Sequence, residues 1–186
     1  MPAPLTEEQT RQDREKLLDA AEALFYEKGI RAVGMDEVRA ASGLPLKRIY
    51  RFHPTKDDLV VAVLRRRDVR WRGRLVAAAE AQADPQARLL AAFDWLAGWC
   101  AEPGFRGCAW INAFGEMGPA SPAVLAEVRS HKDAFHRQLA DWCAAAGLAD
   151  PAPVQLLAEG AIVTAAITGT DAPARQARAA VEALLV

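Results

Sequence analysis

Proline punctuates this chain in a way that leaves little room for a sheet. Asp84-Pro85, Ser121-Pro122, Asp150-Pro151 and Asp171 to Pro173 each place a side-chain acceptor just ahead of a residue without a backbone N–H. Such a pair suits the first turn of a helix, where N–H groups have no intrahelical partner. Gly29, Gly43, Gly147 and Gly169 fall where the apolar periodicity lapses. Those are helix ends, because glycine enters the left-handed conformation at no steric cost. The intervening segments are rich in Ala and Leu and poor in Val/Ile/Thr alternation, which favours helix over strand. The expected fold is all-α, with about nine helices.

Composition narrows the function classes. Hydrophobic residues make up 52% and charged residues 25%, so the chain can bury a core and is not of the disordered type. A formal net charge of −1 means that any nucleic-acid binding must come from a local patch. One candidate patch is the run Arg65, Arg66, Arg67, Arg70, Arg72 and Arg74, with Lys47, Arg48, Arg51 and Lys56 upstream. A helix face solvated or paired with acids is the other reading of that run. Cys100, Cys108 and Cys143 form no CxxC pair, and His131, His136 and Glu127 do not converge, so neither a zinc site nor another metal or cofactor is expected. No charge-free apolar stretch reaches 18 residues and the N-terminus lacks a basic flank and apolar run. Neither a membrane span nor a signal peptide is expected, and the cytoplasm is the default location.

Residues 1–10 are polar and proline-bearing and read as a flexible arm. A helix over 11–28 has one apolar face from Leu17, Ala21, Leu24 and Phe25. Short helices follow over 35–42 and 45–52, joined by Ser42-Gly43-Leu44. Two short helices with a glycine turn, packed on a third, form a helix-turn-helix unit. Its second helix stands free to enter a major groove about 12 Å wide. Thr55-Lys56-Asp57-Asp58 is a cap signal for a fourth helix reaching about residue 83. The division expected is a DNA-binding domain over 11–57 and a second helical domain over 58–186, bridged by that helix.

Leu17 to Phe25 with Gly29 resembles the first helix of the TetR family of transcriptional regulators. So do Met35-Asp36-Glu37-Val38, Ser42-Gly43-Leu44, Ile49-Tyr50-Arg51-Phe52-His53 and Thr55-Lys56-Asp57-Asp58-Leu59. The resemblance covers roughly residues 11 to 65. It implies an all-helical homodimer that binds palindromic double-stranded operators and usually releases them on binding a small-molecule effector, with 58–186 as the regulatory and dimerisation domain. The chain departs from the family at Arg39, at Pro45 and in the order Phe52-His53. Pro45 removes a hydroxyl that could cap the reading helix or touch phosphate.

Candidate DNA-binding residues are Lys47, Arg48, Tyr50, Arg51, Thr55 and Lys56. Arg or Lys to guanine is the commonest specific contact, and Lys56 sits at a helix N-terminus that attracts phosphate. Tyr50 matches a position whose hydroxyl typically reaches phosphate; its ring can instead pack on the fourth helix. Thr55 is first a cap, and His53 a packed or surface imidazole. In the C-terminal part, Phe93, Trp95, Trp99, Cys108, Trp110, Asn112, Phe114 and Met117 are candidates for an effector pocket, with a plain core as the alternative. A dimer interface is expected from Leu156, Gly160, Val163 and Ile167, with Ala177, Ala180, Val181 and Leu184 on the last helix. Closure of the protomer core is its alternative. The cysteines read as inert buried thiols.

The reading is a DNA-binding transcriptional regulator, a repressor by the family's usual mode. The alternatives are a TetR-like regulator without small-molecule sensing and a helical interaction module. A small helical enzyme is disfavoured, since no catalytic triad, HExxH pair, phosphate loop or dinucleotide fingerprint occurs.

Overall fold

The computed structural model describes residues 6–185. They form helices α1 (Glu7–Lys28), α2 (Met35–Ser42), α3 (Leu46–Phe52), α4 (Lys56–Glu80), α5 (Pro85–Cys100), α6 (Ala109–Met117), α7 (Pro122–Ala145), α8 (Ala152–Thr168) and α9 (Ala172–Leu184). No strand occurs among the described residues.

The helix ends follow the sequence signals, with two corrections. α1 begins at Glu7, not near residue 11. Thr6 and Gln9 form a reciprocal capping box, the Thr6 hydroxyl accepting from the Gln9 N–H at 3.1 Å and the Gln9 side chain from the Thr6 N–H at 3.0 Å. Residues 7–10 are therefore helical, and of the arm expected over 1–10 the first five residues lie outside the described ones. The second correction is at α9. Asp171 makes no side-chain cap; its carboxylate pairs with Arg175, and the Thr170 hydroxyl accepts from the Ala172 N–H at 3.2 Å instead. Asp84 caps α5 as expected, accepting from the Ala87 N–H at 2.8 Å.

The chain divides into two compact units. One runs to Arg66 and includes Asn112–Val128; the other comprises Arg67–Ile111 and Arg129–Val186. In the first unit α1 packs on α2 and α2 on α3. Leu17 and Ala21 of α1 are fully buried and Phe25 nearly so, giving the i, i+4, i+8 stripe of a helix that faces a core along one side. Val33, Val38, Ile49 and Leu59 are fully buried in the same unit. In the second unit α9 packs on α8 and α5, and the largest fully buried side chains include Trp110, Phe93 and Phe135.

Asp84→Ala should lower global stability by about 1 kcal/mol, the usual worth of a helix N-cap. The check is the urea unfolding midpoint, with the slope of the transition unchanged.

Candidate nucleic-acid interface

α3 has seven residues, and Pro45 at its N-cap offers no side-chain acceptor. Its orientation is set by what it buries. Ile49, in the middle, is fully buried. The helical period then puts Lys47, Tyr50 and Arg51 on the opposite side, and all three are exposed, Tyr50 at 42%. Gly43 makes the preceding turn possible. It closes α2 at φ +69°, a conformation that L side chains rarely adopt, and donates to the Arg39 carbonyl at 3.0 Å.

The remaining candidates already have partners within the protein. The Arg48 guanidinium turns to Asp13 of α1. The Thr55 hydroxyl accepts from the Asp58 N–H at 3.1 Å and donates to the Asp58 carboxylate at 2.7 Å, closing the cap of α4. The Lys56 ammonium donates to the carbonyls of Ile30 and Val33, both at 2.6 Å. Burial pulls its pKa down, and Glu116 and Asp57 oppose that pull. The turn it holds is gripped from a second side as well. Glu116 of α6 accepts from the Arg31 N–H at 2.7 Å, and its carboxylate lies 3.2 Å from where a Cβ on Gly29 would stand. Gly29 has φ +91°, so the position suits glycine on two counts.

The arginine run is largely neutralised. In the first unit Arg65 pairs with Glu127 at 2.8 Å, and Arg66 reaches Glu15, Asp19 and Glu22 on one face of α1 at 2.9 to 3.0 Å. In the second unit Arg72 pairs with Asp68, and Arg74 with Glu102. Behind the reading helix, Arg14 lies over the Phe52 ring, 5.3 Å from its centroid. Burial, then the charge of Arg14, lowers the His53 pKa, so its imidazole is neutral and packed.

Of the residues expected around an effector, Phe93, Trp95, Trp99, Cys108 and Trp110 fall in the second unit, and Asn112, Phe114 and Met117 in the first. Phe93 and Trp110 are buried, whereas Asn112 and Phe114 are exposed. The hub of the aromatic cluster is Trp71. Its ring lies 5.4 Å from Trp95, 5.3 Å from Trp99, 6.4 Å from Trp110 and 5.2 Å from Phe135. Sequence reasoning passed over it, because Arg70 and Arg72 on either side disguise an apolar position. His131 was also missed in its real role. It stacks on Trp110, centroids 3.5 Å apart, and its Nδ1–H donates to Asp68 at 2.6 Å. All three cysteines are buried and free, and burial raises the thiols of Cys143 and, to about 11, of Cys100.

On the last two helices, Leu156, Val163 and Ile167 of α8 and Leu184 of α9 are exposed, with Gly160 between them. Ala177 and Val181, expected at a dimer interface, are instead 4% and 0% exposed inside the protomer. The reason is geometric: an i, i+4 pair marks an apolar face without saying whether the same chain or another covers it.

The geometry defines a helix-turn-helix protein that offers a short, cation-bearing helix to a groove. Residues 17–63 match the family of bacterial regulatory proteins, tetR family. A TetR-family transcriptional regulator from Streptomyces coelicolor is 28% identical, with 94% of this chain and 95% of that one aligned at a TM-score of 0.86. Regulatory protein TetR from Rhodobacter sphaeroides is 25% identical over 91% of this chain and 96% of its own, at 0.78. A TetR regulator from Chloroflexus aurantiacus, at 22% identity, 94% of each chain and a TM-score of 0.81, shares the fold. No curated protein matches. Residues 17–63 thus carry a helix-turn-helix of the tetR family type, and the all-helical fold around them is the one seen in TetR-family regulators. The Streptomyces coelicolor and Rhodobacter sphaeroides proteins are regulators by description.

Acid should unfold the second unit in two stages. Burial, reinforced by Lys132 and opposed by the bond to Asp68, holds His131 below its ordinary 6.5. The unfolded chain therefore takes up the proton first, and stability falls as pH drops below about 6.5. Burial alone would raise the Asp68 carboxyl, but hydrogen bonds from Arg72 and His131 outweigh it and hold it at about 2. Its contribution is complete above 3.8 and is lost between 3.8 and about 2. Urea midpoints from pH 8 to pH 5 should decline in the wild type and decline less in His131→Gln, where the lowered His53 pKa still contributes.

Proposed function

We propose that the protein is a repressor that binds a palindromic operator as a homodimer and leaves it when a small-molecule effector binds. In this reading residues 11–57 bind DNA, residues 58–186 sense and dimerise, and the protein works in the cytoplasm. The observation that carries it is the exposed face of Lys47, Tyr50 and Arg51 on a helix that a glycine turn and a buried isoleucine hold outward. Two cations and a phenol on one helical turn suit guanine edges and phosphates.

Dimerisation is supported by the stripe Leu156, Gly160, Val163 and Ile167, spaced i, i+4, i+7 and i+11 along α8, where Ile167 is 80% exposed. Apolar side chains in such a line favour a partner surface, and two-fold symmetry matches a palindrome. Effector binding is supported by the indole N–H groups of Trp71 and Trp110, both buried without an acceptor on the protein. A buried donor left unpaired is costly, and a guest with an acceptor would satisfy it. The competing reading is a regulator without a small-molecule sensor. It is favoured by the close stacking of Trp110 on His131, which makes the cluster a filled core.

Duplexes selected from a random pool should be palindromic, and binding should weaken steeply with salt. Lys47→Ala and Arg51→Ala should each flatten the plot of log affinity against log salt, by roughly 0.9 for every phosphate that is no longer neutralised. Selection of no duplex would reject the reading. Ile167→Asp should convert a dimer to a monomer in sedimentation velocity and cost operator affinity more than tenfold, on the order of a lost hot spot. An unchanged sedimentation coefficient would remove α8 from the interface.

A further inference from the structure

We propose that Arg48 is a positioning residue: its pair with Asp13 sets the pose of α3 on α1, and sequence is read by the neighbouring Lys47, Tyr50 and Arg51. This rests on the DNA-binding reading above. A cation in the middle of a reading helix would ordinarily be assigned to DNA. Three observations assign this one to the protein.

The first is where Asp13 stands. It lies one helical turn before Leu17 and so extends the buried stripe of Leu17, Ala21 and Phe25. Its side chain is 13% exposed, and Arg48 is the partner that the structure gives it, Nη1 to Oδ2. A buried carboxylate stripped of its cation is strongly disfavoured, so Arg48 is not free to swing out to a phosphate. The second is the state of Arg48 itself, 31% exposed on its side chain and only half-buried as a residue, while Lys47 and Arg51 on the same helix are exposed. The third is a neighbouring tether. Arg14, the next residue of α1, lies over Phe52, one turn beyond Arg48 on α3. Consecutive residues of α1 therefore hold positions i and i+4 of α3. Together with Ile49 they fix both the tilt and the rotation of a helix too short to fix itself.

The two roles predict opposite signs for one substitution. If Arg48 touches phosphate, Asp13→Asn removes a nearby negative charge and strengthens DNA binding. If Arg48 positions α3, Asp13→Asn loosens the helix and weakens binding to a selected duplex, on the order of tenfold. The assay is binding of a duplex selected by the wild type, and of a scrambled duplex, across a range of salt. Asp13→Asn and Arg48→Ala should both lower affinity for the selected duplex and narrow its margin over the scrambled one. Their effects should not add in Asp13→Ala/Arg48→Ala, Arg48→Lys should recover part of the loss, and the salt slope should stay that of the wild type. A dimer carries the residue twice, so a phosphate-neutralising role would show as a slope flattened by roughly 1.8. That flattening in Arg48→Ala, or equal or tighter binding by Asp13→Asn, would overturn the proposal. Should Arg48→Ala not fold, as judged by far-UV circular dichroism, Asp13→Asn and the double variant carry the test, since neither leaves a buried carboxylate alone. Failure of the wild type to select any duplex would overturn the DNA-binding reading and this proposal with it.

Discussion

A helix of seven residues cannot hold itself together in water, because closing its first turn costs more than its few hydrogen bonds return. Everything in the first unit can be understood as the support α3 therefore needs. The apolar stripe of α1 supplies a floor. α2 packs on that floor and α3 on α2, and Val38 of α2 and Ile49 of α3 are both fully buried. Gly43 lets the chain reverse between them without strain. Outward presentation of Lys47, Tyr50 and Arg51 is then a by-product of burying Ile49, since a helix that hides one face must show the other.

Charge is used in the same way. The chain has 23 basic and 24 acidic residues, and many of its arginines meet an acid before they could meet a phosphate. Arg66, with its side chain 16% exposed, gathers three carboxylates along α1 and fastens α4 to it. Lys56 and Glu116 grip the turn after α1 through backbone carbonyls and an N–H, which ties the start of α4 and the end of α6 to the helix-turn-helix. A cation committed to a buried partner is a poor steering charge. The field presented to a duplex thus comes from the few cations the fold leaves outside.

The second unit is built around large rings. Trp71 meets four of them edge to face, a geometry aromatic pairs prefer, and His131 extends the stack through Asp68 into a polar edge. A neutral imidazole that must stay neutral makes this unit sensitive to acid. The same cluster holds two indole donors without acceptors, which is why sensing and plain core packing compete there.

Local chemistry determined a good deal of this by itself. Proline with an acid before it, glycine where periodicity lapses, and Thr55 three residues ahead of Asp58 are short-range signals. At Asp84 and Thr55 they read correctly because a helix end is satisfied within a few residues; at Asp171 the carboxylate took Arg175 instead. The helix-turn-helix and its resemblance to the tetR family were legible for the same reason. What only the tertiary structure decided is which partner each side chain takes. Arg48 and Lys47 are adjacent and chemically alike, yet one faces a carboxylate 35 residues away and the other faces solvent. Nothing in its neighbours along the chain marks Asp13 as a buried partner, and Trp71 is hidden among arginines. Ala177 and Val181 carried a face that either a partner or the chain's own α5 and α8 could cover. Spacing along a helix gives the direction of a side chain but not what waits there, and that is a property of the packed molecule.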